Sequence, residues 1–148
     1  MRVCVIDGRG GGLGCRLVSG LRATLDPDCQ IVALGTNAVA AEAMGHAGAE
    51  QTASGIEAIV AIVPTADVIV ASLNMVLPGA MLGEVTPEVV RMILEAKAKK
   101  VLLPLNRARV EIVGTEDRTL DMLIAQALSR VVSLCVQPAT SNAIPISF

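Results

Sequence analysis

The stretch Asp7-Gly8-Arg9-Gly10-Gly11-Gly12-Leu13-Gly14 carries the clearest chemical signal in the chain, with five glycines in eight residues. Glycine N–H groups can approach a phosphate without interference from a Cβ. A helix N-terminus behind them adds a partial positive charge. The flanks suit such a turn. Arg2 to Ile6 is a β-branched apolar run that reads as a strand. Leu13, Leu17, Leu21 and Leu25 then recur every four residues, as one face of a helix does. The expected ligand is a small phosphorylated molecule: a nucleotide, of the NAD(P) type or another, or a phosphorylated metabolite. Asp7, Gly8, Gly10, Gly11, Gly12, Leu13 and Gly14 would hold it. The competing reading is that the glycines only let a strand and a helix pack closely.

The spacing narrows the chemistry. Gly-x-Gly-x-x-Gly does not fit, because Leu13 stands where a third glycine would follow Gly8 and Gly10. A Walker loop does not fit either, because Cys15 stands where lysine would follow Gly14. The spacing Gly8-x-x-x-Gly12-x-Gly14 resembles the phosphate-binding turn of short-chain dehydrogenases. That family moves a proton with a Tyr-x-x-x-Lys pair, and this chain has no tyrosine.

In open α/β sheets, ligands bind at the carboxyl ends of the strands. Here those ends read as Asp7, Thr36 with Asn37, Thr52 with Ser54, Asn74, and Asn106 with Arg107. Arg107 could meet a phosphate or carboxylate bidentately. Thr36 and Asn37 could bond a ribose or a phosphate. They stand where an NAD site usually places a carboxylate, so neither that acid nor the arginine typical of NADP is expected there. Asp7 would orient the loop or bind ligand hydroxyls. Asp7, Glu84 and the lysines are the available acids and bases, and no catalytic residue is assigned. Cys15 has no histidine in its motif to activate it, and His46 reads as a surface residue after a helix.

Composition excludes several functions. The chain has no Trp, no Tyr and one Phe, so base-stacking platforms for nucleic acid are absent. With one histidine, zinc sites built on two or three His are impossible, and no metal is implied. A net charge of −2 gives no basic footprint for nucleic acid. Lys97, Lys99 and Lys100 are expected to end a helix, where cations suit the macrodipole. The cysteines at 4, 15, 29 and 135 have no Cys-x-x-Cys spacing and read as reduced thiols of a cytoplasmic protein. The apolar stretch 56–82 is broken by Glu57, Pro64, Asp67 and Pro78 and does not span a membrane.

Hydrophobic residues make up 53% of the 148 residues and charged residues 18%, few charges for a small monomer's surface. A homo-oligomer is therefore expected. The connection from Leu73 to Val85 carries Met75, Val76, Leu77, Met81 and Leu82. It reads as a subunit interface in preference to a lid over the site.

Strands alternating with helices must position these residues. Further strands are expected at Gln30 to Leu34, Ala49 to Thr52, Val68 to Ala71 and Val101 to Leu105, with an extra edge strand at Val110 to Val113. Asn37 caps a helix to about Met44. Ser54 and Glu57 form a capping box for a helix to about Val63. Thr86-Pro87 opens a helix to about Lys97. Thr119 caps a last helix with Leu120, Leu123, Ile124, Ala127, Leu128 and Val131 on one face. Continuous apolar strands mean a sheet buried on both faces. The expected fold is α/β: a three-layer α/β/α sandwich on a mostly parallel, Rossmann-like sheet of about five strands, ordered 3-2-1-4-5. Residues 1–134 form one domain and 135–148 a tail.

Four segments in order extend this reading: Val5-Ile6-Asp7-Gly8-Arg9-Gly10-Gly11-Gly12-Leu13-Gly14, Ala33-Leu34-Gly35-Thr36-Asn37-Ala38, Leu103-Pro104-Leu105-Asn106-Arg107 and Glu111-Ile112-Val113-Gly114. Together they resemble a small bacterial family known as domain-of-unknown-function family 3842, over residues 1 to about 130. The resemblance implies a complete single-domain protein in the bacterial cytoplasm, and no particular activity. The leading expectation is a nucleotide-binding Rossmann-like domain. Its rivals are a small oligomeric reductase or transferase, and a structural or interaction subunit with no ligand.

Overall fold

A computed structural model describes residues 1–105, 107 and 109–136. Five strands, β1 (Arg2–Asp7), β2 (Gln30–Gly35), β3 (Gln51–Ser54), β4 (Val68–Ser72) and β5 (Lys99–Leu103), form one sheet. Its order is β3-β2-β1-β4-β5, and every pairing is parallel. Successive side chains of a strand point to opposite faces, and both faces here are apolar. Val3, Val5, Ile31, Ala33, Val68 and Val70 pack on one side with α1 (Gly12–Thr24), α2 (Ala38–His46) and α5 (Leu120–Val136). Cys4, Ile6, Val32, Leu34, Ile69 and Ala71 pack on the other with α3 (Ile56–Ile62) and α4 (Pro87–Glu95). This is the three-layer sandwich read from the sequence. Each fully buried Leu or Ile contributes roughly 1.5–3 kcal/mol.

The caps decide where helices begin. Asn37 Oδ1 accepts from Ala40 N at 2.9 Å, and Thr86 Oγ1 accepts from Val89 N at 3.3 Å, as their residue types predict. Thr119 Oγ1 accepts from Met122 N at 3.2 Å. The Ser54 capping box does not form. Ser54 instead ends β3 opposite Gly35, and Gly55, at φ 89°, leads into α3 without a side-chain cap. His46 is the last residue of α2 and is exposed.

Three other expectations shift. α4 stops at Glu95, and Lys99 and Lys100 enter β5, paired with Val68 and Ile69. An edge strand open to solvent tolerates these lysines. Lys100 Nζ still donates to Leu94 O at 3.2 Å and to Ala96 O, so its charge meets the carbonyl end of α4 from the neighbouring strand. The expected strand at Val110 to Val113 reduces to a single antiparallel bridge between Arg107 and Val110. Finally, α5 continues through Val136, so Cys135 lies in the helix and not in a tail. Residues 137–148 lie outside the described residues.

Candidate functional site

The strand order reverses between β1 and β4, which leaves a crevice at their carboxyl ends. The glycine turn forms one wall. It is organised by Asp7, the last residue of β1, only 5% exposed. Asp7 Oδ1 accepts from Gly8 N and Oδ2 from Gly14 N, both at 2.8 Å. Gly14 is the third residue of α1, and the N-cap position is Gly11, which has no side chain and a left-handed φ of 74°. Asp7 therefore performs across the turn the capping that Gly11 cannot. Burial pushes the Asp7 carboxyl above its ordinary range, and the N–H groups of Gly14 and Gly8 pull it back. Through these two bonds Asp7 orients the loop.

The glycines divide into two kinds. A Cβ on Gly8 would lie 2.6 Å from Thr36 Oγ1 and 2.7 Å from Met81 Sδ. On Gly11 it would lie 3.0 Å from Ala40 O, and on Gly14 2.9 Å from the Cβ of Asp7. Close packing explains these three. It does not explain Gly10 and Gly12, where a Cβ would meet nothing within 4 Å. Both are exposed. Gly11 N donates to Gly8 O at 2.9 Å and Arg9 N to Glu84. The N–H groups of Gly10, Gly12 and Leu13 have no partner among the described residues.

Residues 73–85 form the opposite wall and fold over the turn. Ser72 Oγ accepts from Asn74 N at 3.0 Å and starts a single 3-10 turn, Leu73–Val76. Met75, Ala80 and Val85 are 0–1% exposed, and Val76, Leu77 and Met81 pack partly buried against the same core. The apolar patch expected at an interface is thus largely spent on the chain's own core, and Leu82, at 86% exposure, is what remains outside. Gly79, Met81, Leu82 and Gly83 all have positive φ. Gly79 N donates to Val85 O at 2.7 Å and closes the loop.

That closed loop delivers Glu84 to the carboxyl end of β2. Glu84 Oε1 accepts from Asn37 Nδ2 at 2.6 Å, Thr36 Oγ1 at 2.8 Å and Arg9 N at 3.1 Å. Asn37 Nδ2 also donates to Arg9 O at 3.0 Å. These bonds, Asn37's foremost, hold the Glu84 carboxyl below its usual range. The sequence offers no carboxylate at the end of β2; the fold brings one there from a distant segment. Glu84 was legible only as a possible acid or base.

Asn74, just past the end of β4, keeps its amide Oδ1 buried with no hydrogen-bond partner among the described residues. Asn106 lies outside the described residues. Arg107 is exposed and makes no hydrogen bond with the turn, Thr36 or Glu84 among the described residues. Thr52 and Ser54 are exposed on the edge strand β3. Cys15 is not activated, because burial and then the charge of Asp7 push its thiol up. Burial likewise pushes Cys4 up to about 11. No group of three or more His, Cys, Asp or Glu among the described residues could hold a metal ion. No helix among them is long and apolar enough to cross a membrane.

An all-parallel sheet of this order, with a glycine turn and a helix N-terminus at its switch point, defines a Rossmann-like α/β domain. The chain belongs to the family described as domain of unknown function (DUF3842), whose model matches residues 2–136. No functionally curated protein matches it. Among solved structures it is similar to a dodecameric FMN-dependent UbiX-like decarboxylase from Escherichia coli O157:H7, at 14% identity and a TM-score of 0.54. That likeness covers 94% of this chain and 96% of the decarboxylase. It is also similar to apo saccharopine dehydrogenase (L-Glu forming) from Saccharomyces cerevisiae, at 16% identity and a TM-score of 0.48. That likeness covers 72% of this chain, which spans only 22% of the dehydrogenase. The likeness to the decarboxylase concerns the fold alone.

Proposed function

We propose that this domain binds a phosphate-bearing nucleotide, of the NAD(P) type or another, at the turn from Gly8 to Gly14. The observation that carries the reading is the open pair Gly10 and Gly12, glycines that packing does not require, beside three unpartnered N–H groups. Oriented N–H groups at a helix N-terminus suit a phosphate. The buried, unpartnered Asn74 Oδ1, just past the end of β4, is a further polar atom near the same carboxyl edge. The fold of an FMN-dependent decarboxylase agrees with a nucleotide-type ligand. Binding is favoured over a reductase or transferase activity, because Asp7 has both carboxylate oxygens in hydrogen bonds and Glu84 has one. A cytoplasmic setting and self-association belong to the same reading. They are supported by four free thiols, a mean hydropathy of +0.62 and the dodecameric state of the decarboxylase.

The experiment is a thermal-shift panel of NAD, NADP, FMN, FAD, ATP, GTP and sugar phosphates. A true ligand at about 100 times its dissociation constant adds roughly 2.7 kcal/mol of stability. Flat melting curves throughout, in protein stripped of co-purified ligand, contradict the reading and leave the ligand-free structural subunit.

A further inference from the structure

The carboxylate of Glu84 is held on one side and open on the other. Oε1 is saturated by Asn37, Thr36 and the Arg9 N–H, while Oε2 has no hydrogen-bond partner among the described residues. Three donors from β2's carboxyl end and from the glycine turn fix its position. Glu84 is only partly buried, so Oε2 is accessible to a donor on a ligand. The Arg9 N–H it binds is next in the chain to the Gly10 N–H left open at the turn, so the two subsites adjoin. A nucleotide whose phosphate sits on the turn carries its ribose toward the end of β2, where acids in such folds meet ribose hydroxyls.

We propose that Glu84 Oε2 accepts a hydrogen bond from the ribose hydroxyls of the bound nucleotide and thereby selects ligands with a free 2′-hydroxyl over those with a 2′-phosphate. This rests on nucleotide binding at the glycine turn. Discrimination arises on both sides. The free hydroxyl gains a charge-assisted bond, whereas a 2′-phosphate would place its negative charge against a carboxylate. The same three donors that hold Glu84 keep it ionised, since its carboxyl lies below the usual range. Arg9 is the nearby cation that also favours this ionised form. Arg9 makes no ion pair with Glu84 among the described residues, and in Glu84→Gln its charge would remain beside the site to attract a 2′-phosphate.

The test is calorimetric titration of NAD, NADP and inorganic pyrophosphate into the wild type and Glu84→Gln. Glutamine keeps an oxygen for the three donors, so the loop stays folded, which amide exchange at Arg9 can verify. The wild type is expected to bind NAD at least about tenfold more tightly than NADP, a difference within reach of one charged contact. Glu84→Gln should bring the two within about twofold of each other or reverse them, with a gain for NADP several-fold larger than any gain for pyrophosphate. Equal affinities in the wild type overturn the inference and leave nucleotide binding standing. So does a uniform gain for all three ligands in Glu84→Gln, which would make the carboxylate an internal occupant of the turn. Absence of binding by any of the three contradicts both this inference and the reading beneath it.

Discussion

Glu84 Oε1 lies 2.6 Å from Asn37 Nδ2, a bond that joins residues 47 apart in sequence and ties the β4–α4 connection to the carboxyl end of β2. Asn37 thereby serves twice, since its Oδ1 caps α2 through Ala40 N. The crevice wall and the helix behind it are fixed by one side chain.

Removing the shared acceptor should loosen the wall. Glu84→Ala leaves three donors without their partner and is expected to cost about 1–2 kcal/mol at neutral pH. Urea denaturation measures the cost, and amide exchange at Arg9 reports it locally. Unchanged Arg9 protection would mean that the bond contributes nothing in solution.

The two carboxylates of the turn should respond to pH with opposite signs. Glu84 is lowered from 4.5, chiefly by its bond from Asn37, so its contribution is present above 4.5 and lost as pH falls through the folded value. Asp7 is raised from 3.8 by burial, so its contribution is full below 3.8 and lost as pH rises through the folded value. Stability profiles from about pH 3 to pH 7 should lose the acid-side fall in Glu84→Gln and the opposing trend in Asp7→Asn. Parallel profiles for both variants would contradict the assignment.

The glycines should separate by alanine substitution. Gly14→Ala forces a methyl toward Met44 and to 2.9 Å from the Cβ of Asp7, and is expected to cost about 1–3 kcal/mol. Gly10→Ala and Gly12→Ala project into open space and should stay within about 0.5 kcal/mol of the wild type. A large loss at Gly12 would show that packing, not ligand access, requires it.

What the sequence reveals of this fold follows from local physics. Apolar runs such as Val68–Ser72 are buried on both faces, which is what a parallel sheet requires, so class and strand order could be read. Thr86-Pro87 and Asn37 cap where their chemistry says. The failures are tertiary. Ser54 can cap a helix, but pairing with Gly35 takes it into the sheet. Lys99 reads as a helix end until Val68 recruits it as a strand partner. Within the site, the glycine turn was legible because its residues are contiguous. Glu84 was not, because its place depends on a loop in which Met81 and Leu82 adopt left-handed backbone that their residue types do not announce.

Assembly now rests on a smaller surface. Leu77 is packed on its own core, so Leu77→Asp should destabilise the monomer, whereas Leu82→Asp, at a side chain 86% exposed, should leave stability within about 0.5 kcal/mol. The wild type is expected to sediment as an oligomer and Leu82→Asp to shift toward monomer. A wild type that remains monomeric at micromolar concentration contradicts self-association.

The most direct test of nucleotide binding at the glycine turn is calorimetric titration of Gly12→Val with the nucleotide that most stabilises the wild type. Gly12 is the first residue of α1, has no positive φ and has open space around its Cβ, so valine should fold there without strain. Its methyls would occupy the approach to the free N–H groups. The account predicts an unchanged far-ultraviolet spectrum, melting within a few degrees of the wild type, and affinity reduced by more than about tenfold, or 1.4 kcal/mol. A folded Gly12→Val that binds the nucleotide as tightly as the wild type would contradict it.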